Sequence, residues 1–250
     1  MLHLSQVVVS FSGSRVLNGI SCSLRRNETV GIIGPNGSGK TTLFNCISGF
    51  TPIESGGITL GDQPIHHLSP HSRARRGLGR VFQNFGIFRE MSLLENMLVA
   101  LESATRAPRS GVLPWSKATL EMKQRAMELL REIRLEDKAL IKAGSLSGGQ
   151  MRLLEIMRTV AVGAELFLLD EPTAGVSPRM KDDVAETIQK LQGMGKTVLI
   201  IEHDINFIQK FCSRIIVLNE GLIVLDDTPE RVRSNEQLKE IYFGRGDTHD

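Results

Sequence analysis

The sequence predicts an α/β fold, in which a mostly parallel β-sheet is covered by helices. Three short and continuously apolar segments, at residues 166–169, 197–201 and 214–218, are separated by stretches long enough to form helices. Such segments are typical of parallel strands that are buried on both faces. A fourth apolar segment, residues 29–33, leads into a glycine-rich loop and then into a helical pattern, which predicts another strand followed by a helix.

The beginning and the middle of the chain differ from this pattern. Residues 7–11 and 16–24 predict strands that are joined by a short turn. Residues 92–134 predict helices, because apolar residues recur there every three or four positions, and a loop at residues 106–114 interrupts them. The sequence thus predicts an α/β core that is interrupted by a helical block and resumes near residue 163.

Composition limits the classes of protein to which the chain can belong. Of its 250 residues, 41% are hydrophobic and 23% are charged, which is typical of a globular protein. The net charge of +2 argues against a protein that coats nucleic acid. We expect no membrane span, because no apolar run approaches ~18 residues. We also expect no secretory signal, because the first six residues show no basic stretch followed by an apolar one. The distant Cys22, Cys46 and Cys212 predict reduced thiols in a cytosolic protein.

A phosphate-binding loop follows the strand at residues 29–33, since residues 34–42 fit the pattern G-x-x-x-x-G-K-[ST]. The loop consists of Gly34, Pro35, Asn36, Gly37, Ser38, Gly39, Lys40, Thr41 and Thr42. Glycines allow the backbone to turn several N–H groups toward a polyphosphate, and the helix that follows favours an anion at its N-terminus. Lys40 would place its charge on the β- and γ-phosphates, and Thr41 would offer a hydroxyl to Mg²⁺.

Polar side chains follow two of the apolar strands. Asp170 and Glu171 come after residues 166–169, at the end of the strand where the ligand crevice of a parallel sheet lies. Asp170 suits Mg²⁺, which prefers oxygen ligands, and Glu171 is a candidate base for an attacking water. The alternative is a pair of exposed acids at a strand end. His203 follows residues 197–201 and is either a structural residue or a group within reach of a γ-phosphate.

Between the phosphate loop and Asp170 lies the sequence Leu-Ser-Gly-Gly-Gln at residues 146–150. Together and in this order, over nearly the whole chain, the motifs resemble those of the ATP-binding cassette (ABC) ATPases. The resemblance implies a RecA-like P-loop core with an antiparallel β subdomain and an inserted helical signature subdomain. The implied boundaries are residues 1–85 and 155–235 for the nucleotide-binding core, 86–154 for the helical subdomain and 236–250 for a C-terminal tail.

The resemblance also implies roles for individual residues, with ATP and Mg²⁺ as cofactors. Lys40, Gln83, Glu171 and His203 would be catalytic, with Gln83 sensing Mg²⁺ and the attacking water and His203 contacting the γ-phosphate. The metal would be bound by Thr41, Gln83 and Asp170. Phe11 would stack on adenine at a position where the family most often has Tyr, and Ser177 stands where most members have an Asp that contacts the other subunit.

The signature implies an oligomer. In the family, Ser147, Gly148, Gly149 and Gln150 of one subunit meet the ATP that is held by the phosphate loop of another. Because this chain has one loop and one signature, it would pair with a copy of itself or with a paralogue. From the residues alone, Ser147 is also a candidate helix cap, and both interpretations can hold together.

Several stretches resemble the ATPase subunits of bacterial branched-chain amino-acid importers, and they lie at residues 77–84, 87–100, 173–178, 201–204 and 228–244. The ATPases of urea or amide import and of lipopolysaccharide export share much of this pattern. The resemblance implies a peripheral subunit on the cytoplasmic face of the inner membrane that powers import of branched-chain amino acids or similar small polar solutes. Its partners would be transmembrane permease subunits, a second ATP-binding subunit and an external solute-binding protein, but no nucleic acid. A soluble ABC ATPase and a nucleotide switch without hydrolysis are the less favoured alternatives.

Two surface features leave alternatives open. The segment after Gln83 is apolar for a loop, and it contains Phe85, Ile87, Phe88 and Met91. By resemblance it would receive a short helix of the permease, and the alternative is internal packing. The basic run at residues 73–76 predicts a solvated face, with contact to anionic lipid headgroups as the alternative.

Overall fold

The computed structural model describes residues 1–83, 86–104 and 115–235, and residues 115–119 are described by their backbone alone. The strands are β1 Leu2–Phe11, β2 Ser14–Leu24, β3 Thr29–Ile33, β4 Ser55–Leu60, β5 Gln63–Pro64, β6 Leu78–Val81, β7 Leu166–Asp170, β8 Thr197–Ile201, β9 Arg214–Asn219 and β10 Leu222–Asp227. The helices are α1 Lys40–Ser48, α2 Pro70–Ala74, α3 Leu93–Ala104, α4 Trp115–Glu132, α5 Gly148–Ala161, α6 Pro178–Gly193, α7 Ile205–Ile208 and α8 Pro229–Ser234.

A six-stranded sheet in the order β10-β9-β3-β8-β7-β6 confirms the predicted α/β fold. All neighbours in it are parallel except β10, which pairs with β9 in antiparallel orientation. Every residue of β3, β7 and β8 is buried, which explains why these strands are continuously apolar in the sequence. Strand β7 extends one residue beyond the predicted segment, so that Asp170 is its last residue.

The N-terminal strands form a separate antiparallel sheet in the order β2-β1-β4-β5. Strand β1 begins at Leu2 rather than at residue 7, so the prediction missed half of it. The register shifts between Leu4 and Val7, where Gln6 has a φ of 49°. Such a bulge changes the phase of the alternation between apolar and polar residues, which hides the first half of the strand from a search for a regular pattern.

The six-stranded sheet separates two hydrophobic clusters. On one face, residues such as Phe167 and Ile200 belong to the cluster that includes Leu129 of α4 and Leu154 of α5. On the other face, Leu168 belongs to the cluster that includes residues of α1 and of the antiparallel sheet. Alternate residues of each central strand thus contribute to opposite clusters, which fixes the sheet between the helical block and the antiparallel sheet.

The helical block has its predicted place, with α3 and α4 in the stretch 92–134 and the predicted loop 106–114 outside the described residues. Helix α5 runs through the predicted boundary between residues 154 and 155. The division of the chain into subdomains therefore stays a prediction, and the predicted tail, residues 236–250, lies outside the described residues. None of the helices in the described part of the chain has the length and apolar character that crossing a membrane requires.

The prediction that residues 73–76 form a solvated face is wrong for Arg73, whose side chain is buried. Its guanidinium donates hydrogen bonds to the carbonyl oxygens of Cys46 and Ile47, at the end of α1, and to those of His66 and Leu68. The last carbonyls of a helix need donors and attract cations. Sequence could not identify this position, because Arg75 and Arg76 of the same run are exposed.

Candidate active site

The phosphate-binding loop connects β3 to α1, as predicted. Gly39 caps the N-terminus of α1 with a φ of 103°, in the left-handed region that favours glycine. A Cβ atom there would lie 2.8 Å from Cδ2 of Leu17 and 2.9 Å from the carbonyl oxygen of Val16. At Gly34, a Cβ atom would lie 2.1 Å from the carbonyl oxygen of Leu218. Both ends of the loop therefore need glycine because the backbone is packed closely against neighbouring strands.

The charge of Lys40 is held inside the loop. Its Nζ donates hydrogen bonds to the carbonyl oxygens of Gly34 at 2.7 Å and Pro35 at 2.8 Å. Burial lowers the pKa of Lys40, while the charges of Glu171 and Asp170 raise it in part. The ammonium group and the two acidic side chains thus lie close enough to interact electrostatically.

Asp170 ends β7 with a buried carboxylate. Its Oδ2 accepts a hydrogen bond of 2.9 Å from Nη2 of Arg80, which lies on the neighbouring strand β6. Burial raises the pKa of Asp170, and the hydrogen bond and charge of Arg80 oppose that rise. Arg80 had no role in the sequence analysis, because nothing in the sequence indicates which residue of β6 faces the end of β7.

Glu171, His203 and Gln83 form one connected cluster at the same edge of the sheet. Oε1 of Glu171 lies 2.7 Å from Nε2 of His203, and its Oε2 accepts a hydrogen bond of 3.2 Å from Nε2 of Gln83. The backbone of Glu171 has a φ of 48°, and a left-handed conformation costs a residue with a side chain on the order of 1 kcal/mol. Its N–H donates to the carbonyl oxygen of Ile201, so the strained residue is fixed between β7 and β8.

The donors at this edge fit a nucleotide with Mg²⁺. No group of three or more His, Cys, Asp or Glu side chains that could hold a metal occurs in the described part of the chain. Mg²⁺ is commonly bound by one or two carboxylates together with phosphate and water oxygens. Asp170 can supply the carboxylate, and Thr41 can add its hydroxyl oxygen. In the loop, Oγ of Ser38 is buried and has no hydrogen-bond partner among the described residues, as expected of a group that faces a polar ligand.

Glu202 is a buried residue near the site that sequence reasoning missed. Its Oε1 accepts hydrogen bonds from the N–H of Thr173 at 2.9 Å and from Oγ1 of Thr173 at 2.6 Å. Its Oε2 accepts a bond of 3.3 Å from the N–H of His203. Burial raises the pKa of Glu202. The carboxylate thus joins the loop after Glu171 to the backbone of His203, and its position directly after a fully buried strand was the signal that could have identified it.

An ion pair in α5 holds the segment that carries Gln83. Arg152 and Glu155 are both buried, and Nη1 of Arg152 lies 2.7 Å from Oε2 of Glu155. Arg152 also donates to the carbonyl oxygens of Phe82 and Gln83, and Oε1 of Glu155 accepts from the N–H groups of Phe82 and Gly86. The signal in the sequence was a pair of opposite charges, three residues apart, on an otherwise apolar helix face.

The signature lies at the N-terminus of α5. Oγ of Ser147 accepts from the N–H of Gln150 at 3.3 Å, and Oε1 of Gln150 accepts from the N–H of Ser147 at 3.2 Å, which confirms the predicted helix cap. Gly149 is packed so closely against Met180 that a Cβ atom would lie 2.7 Å from that of Met180. Within the described residues, no hydrogen bond joins the signature to the other predicted site residues. Its contact with a nucleotide in another subunit stays a prediction.

Phe11 and part of the apolar segment after Gln83 lie on the surface. Phe11 is the last residue of β1, and about half of its side chain is exposed. In the apolar segment after Gln83, Ile87 is buried in the core, as the alternative of internal packing predicts. Phe88 and Met91 are exposed, and the contact of this segment with a permease helix stays a prediction. Phe85 lies outside the described residues.

An open groove of about 370 Å³ lies beside the segment that follows Gln83. We call it the Q-side groove, after that glutamine. Its lining includes Phe50, His71, Arg80, Phe82 and Arg158. Arg158 lies over the ring of Phe88, with its guanidinium carbon 4.8 Å from the ring centroid. The groove is therefore continuous with the exposed part of the apolar segment.

Comparison with known proteins adds relatives over nearly the full length. Residues 17–174 match the family model described as ABC transporter. The chain is 37% identical over 249 residues to BraF of Pseudomonas aeruginosa, a high-affinity branched-chain amino acid transport ATP-binding protein, with 98% of each protein covered. It is 34% identical over 243 residues to LptB of Escherichia coli, a lipopolysaccharide export system ATP-binding protein, with 97% of each covered.

Two solved structures have the same fold. The ADP conformation of MJ1267, an ATP-binding cassette of an ABC transporter, is 31% identical with a TM-score of 0.85, covering 98% of this chain and 99% of that one. The dimeric, post-hydrolysis structure of the cassette MJ0796 with ADP and Pi is 28% identical with a TM-score of 0.77, covering 92% and 99%. The predicted RecA-like P-loop fold and the resemblance to branched-chain amino-acid transport ATPases are confirmed. This chain belongs to the ABC transporter family, and it is one of the ATP-binding cassettes that hydrolyse ATP.

Proposed function

We propose that this cassette powers a membrane transporter of small polar solutes, with branched-chain amino acids as the favoured cargo. The single observation that carries the hydrolytic part is the cluster of Gln83, Glu171 and His203 at the edge of the sheet that also holds Lys40. The similarity to BraF supports the cargo. The similarity to LptB makes export of a lipopolysaccharide the second candidate.

In this proposal, the loop N–H groups and Lys40 bind the phosphates of ATP, and Phe11 stacks on the adenine through its exposed face. Thr41, Gln83 and Asp170 would hold Mg²⁺, which when bound would supply positive charge to the phosphates of ATP. The hydrogen bonds from Lys40 to the loop carbonyls support this binding, because they place a positive charge where the backbone turns inward.

Glu171 accepts a proton from the attacking water or orients it, and Gln83 keeps the carboxylate in position. Before ATP binds, His203 contacts the same carboxylate from the other side. Glu171 is partly exposed, with 23% of its side-chain surface open, so that water reaches it. Glu202 fixes the backbone of His203, and in this proposal the ring of His203 exchanges its contact with Glu171 for a bond to the γ-phosphate when ATP binds.

A second ATP-binding subunit, either a copy of this chain or a paralogue, completes the site with its signature at residues 147–150. The exposed position of Ser147 at a helix N-terminus supports this arrangement, since such an end attracts phosphate. The dimeric structure of MJ0796 supports it from a relative.

The Q-side groove is the proposed docking site for a transmembrane permease subunit. The exposed rings of Phe50, Phe82 and Phe88 support this role, because apolar surface of this kind is typical of protein interfaces. The chain would then lie at the cytoplasmic face of the inner membrane as a peripheral subunit. An external solute-binding protein would complete an importer, and no nucleic acid is part of the assembly.

Hydrolysis is tested with Glu171→Gln. We expect the variant to bind ATP like the original chain, and its turnover to fall by about 100-fold or more, because the amide cannot accept the proton of the water. Glu165→Gln is the matched control, since Glu165 is an exposed acid whose partner is Lys196. Full turnover in Glu171→Gln would remove Glu171 as the base.

The cargo is tested with the same variant. The Glu171→Gln chain with ATP and Mg²⁺ is used to isolate its partners from detergent-solubilised native membranes, and the permease that co-purifies is reconstituted in vesicles. ATP-driven uptake of leucine supports the importer. Capture of lipopolysaccharide-export components favours the second candidate, and recovery of ribosomal or DNA-repair proteins without a permease contradicts both.

A further inference from the structure

Arg80 occupies a position that neither the motifs nor the proposed mechanism uses. Its side chain, on β6, is 6% exposed and bonds in two directions. Nη2 donates to Oδ2 of Asp170 at 2.9 Å, while Nη1 donates to Oδ1 of Asn45 at 2.6 Å and to Oγ of Ser48 at 2.8 Å. Because Asn45 and Ser48 lie on α1, the guanidinium joins the helix after the phosphate loop to the end of β7.

Aromatic rings surround the same guanidinium. Its central carbon lies 4.7 Å from the ring centroid of Phe82, 5.8 Å from that of Phe50 and 5.9 Å from that of Phe44. Phe50 and Phe82 contact each other edge to face, and both line the Q-side groove together with Arg80. One planar side chain therefore extends from the wall of the groove to the carboxylate of Asp170.

We propose that Arg80 is a positioning residue, which orients the Asp170 carboxylate for the metal and makes that orientation depend on the wall of the Q-side groove. The inference rests on the proposed function, in which Asp170 binds Mg²⁺. Arg80 engages Oδ2, whereas Oδ1 accepts no hydrogen bond from the residues that the structure describes. A carboxylate with one oxygen held by a rigid fork presents its other oxygen in a fixed direction.

If Arg80 orients Asp170, its replacement should weaken metal binding but not the binding of nucleotide without metal. Partners that hydrogen-bond to a metal ligand typically contribute about 10–100-fold to metal affinity. In a Glu171→Gln chain, which limits turnover, the affinity for a fluorescent ATP analogue is measured with EDTA and then with Mn²⁺ as the metal. We expect Arg80→Lys and Arg80→Gln to reduce the gain in affinity on adding Mn²⁺ by about 10-fold or more, with the affinity in EDTA unchanged.

Arg214→Lys is the matched control. Arg214 lies on the distant strand β9 of the same sheet and is also paired, with its Nη1 2.7 Å from Oε1 of Glu28. We expect the gain in nucleotide affinity on adding Mn²⁺ to be the same in this control as in the parent chain. If the Arg80 variants lose affinity equally in EDTA and in Mn²⁺, or lose none in either, the positioning role is overturned. Arg80→Lys keeps the charge beside Asp170, so it serves if Arg80→Gln does not fold.

Two further variants separate the inference from its basis. If Asp170→Asn keeps the full gain on adding Mn²⁺, the assignment of Asp170 as a metal ligand fails; if it loses the gain while Arg80→Lys keeps it, the positioning role alone fails. Phe50→Ala removes a ring from the groove wall without touching Asp170. We expect it to reduce the Mn²⁺-dependent gain by about 3-fold, less than the change of Arg80 itself, and an unchanged gain would refute the dependence on the groove.

Discussion

Replacing Arg152 with Met should lower the free energy of unfolding by about 3–5 kcal/mol, because it leaves the buried carboxylate of Glu155 without its cation. Arg152 and Glu155 expose 0% and 5% of their side chains, and 2.7 Å separates Nη1 of Arg152 from Oε2 of Glu155. The change also removes the donors for the carbonyl oxygens of Phe82 and Gln83. Two such lost hydrogen bonds contribute about 1 kcal/mol each, and they lie within the same total.

Urea unfolding followed by circular dichroism measures this loss. The matched control is Arg125→Met, since Arg125 forms a pair of the same spacing with Glu128 on α4, where both side chains are more than half exposed. Exposed pairs contribute about 0.3–0.5 kcal/mol, so the control should stay close to the parent chain. A loss below about 1 kcal/mol for Arg152→Met would refute the reasoning, because it would mean that Glu155 is not left unpaired in a buried site.

Three further variants test other parts of the site. Lys40→Ala should abolish tight ATP binding, and equilibrium dialysis that finds an unchanged affinity would contradict the phosphate-loop assignment. Ser147→Arg should prevent ATP-driven dimerisation while a single subunit still binds ATP, and size-exclusion chromatography that finds an intact dimer with normal turnover would contradict the shared site. Glu202→Gln should flatten the dependence of stability on pH. Because burial raises the pKa of Glu202 in the folded chain above its usual 4.5, its protonation stabilises the fold below that value and this stability is lost as the pH rises. The free energy of unfolding of the parent chain minus that of the variant should therefore be larger at about pH 5 than at about pH 8. An equal difference at the two pH values would refute this.

The sequence predicted the parts of the site that depend on local pattern and on sheet topology. The strands β3, β7 and β8 were predicted because burial on both faces makes them continuously apolar. Glu171 and His203 follow two of those strands, and parallel strands that are neighbours bring their ends together, which explains the 2.7 Å contact between the two side chains.

The partners of the charged residues around the site could not be predicted, since they are distant in sequence. Arg152 binds carbonyl groups about 70 positions before it, and Arg80 binds a carboxylate 90 positions after it. A charge in a strand or helix reads the same in the sequence whether it faces water or a buried backbone group. Arg73 illustrates this, because it is buried while its neighbours Arg75 and Arg76 are exposed. Only the tertiary structure decides which arginine meets unpaired carbonyl groups.

Apart from Arg73, these buried charged groups share one property, which is that each binds a residue of the predicted site among its partners. Arg80 holds Asp170, Glu202 holds the backbone of His203, and the pair in α5 holds the segment of Gln83. Helix α5 begins at the signature, so the end that meets the partner's nucleotide in the proposed dimer and the side chains that hold Gln83 belong to one rigid element. A rotation of α5 when the dimer closes would therefore move Gln83 relative to Glu171, with which it shares a hydrogen bond of 3.2 Å. In the proposed dimer, contact at the signature and the position of Gln83 beside the catalytic carboxylate would then be linked mechanically through α5.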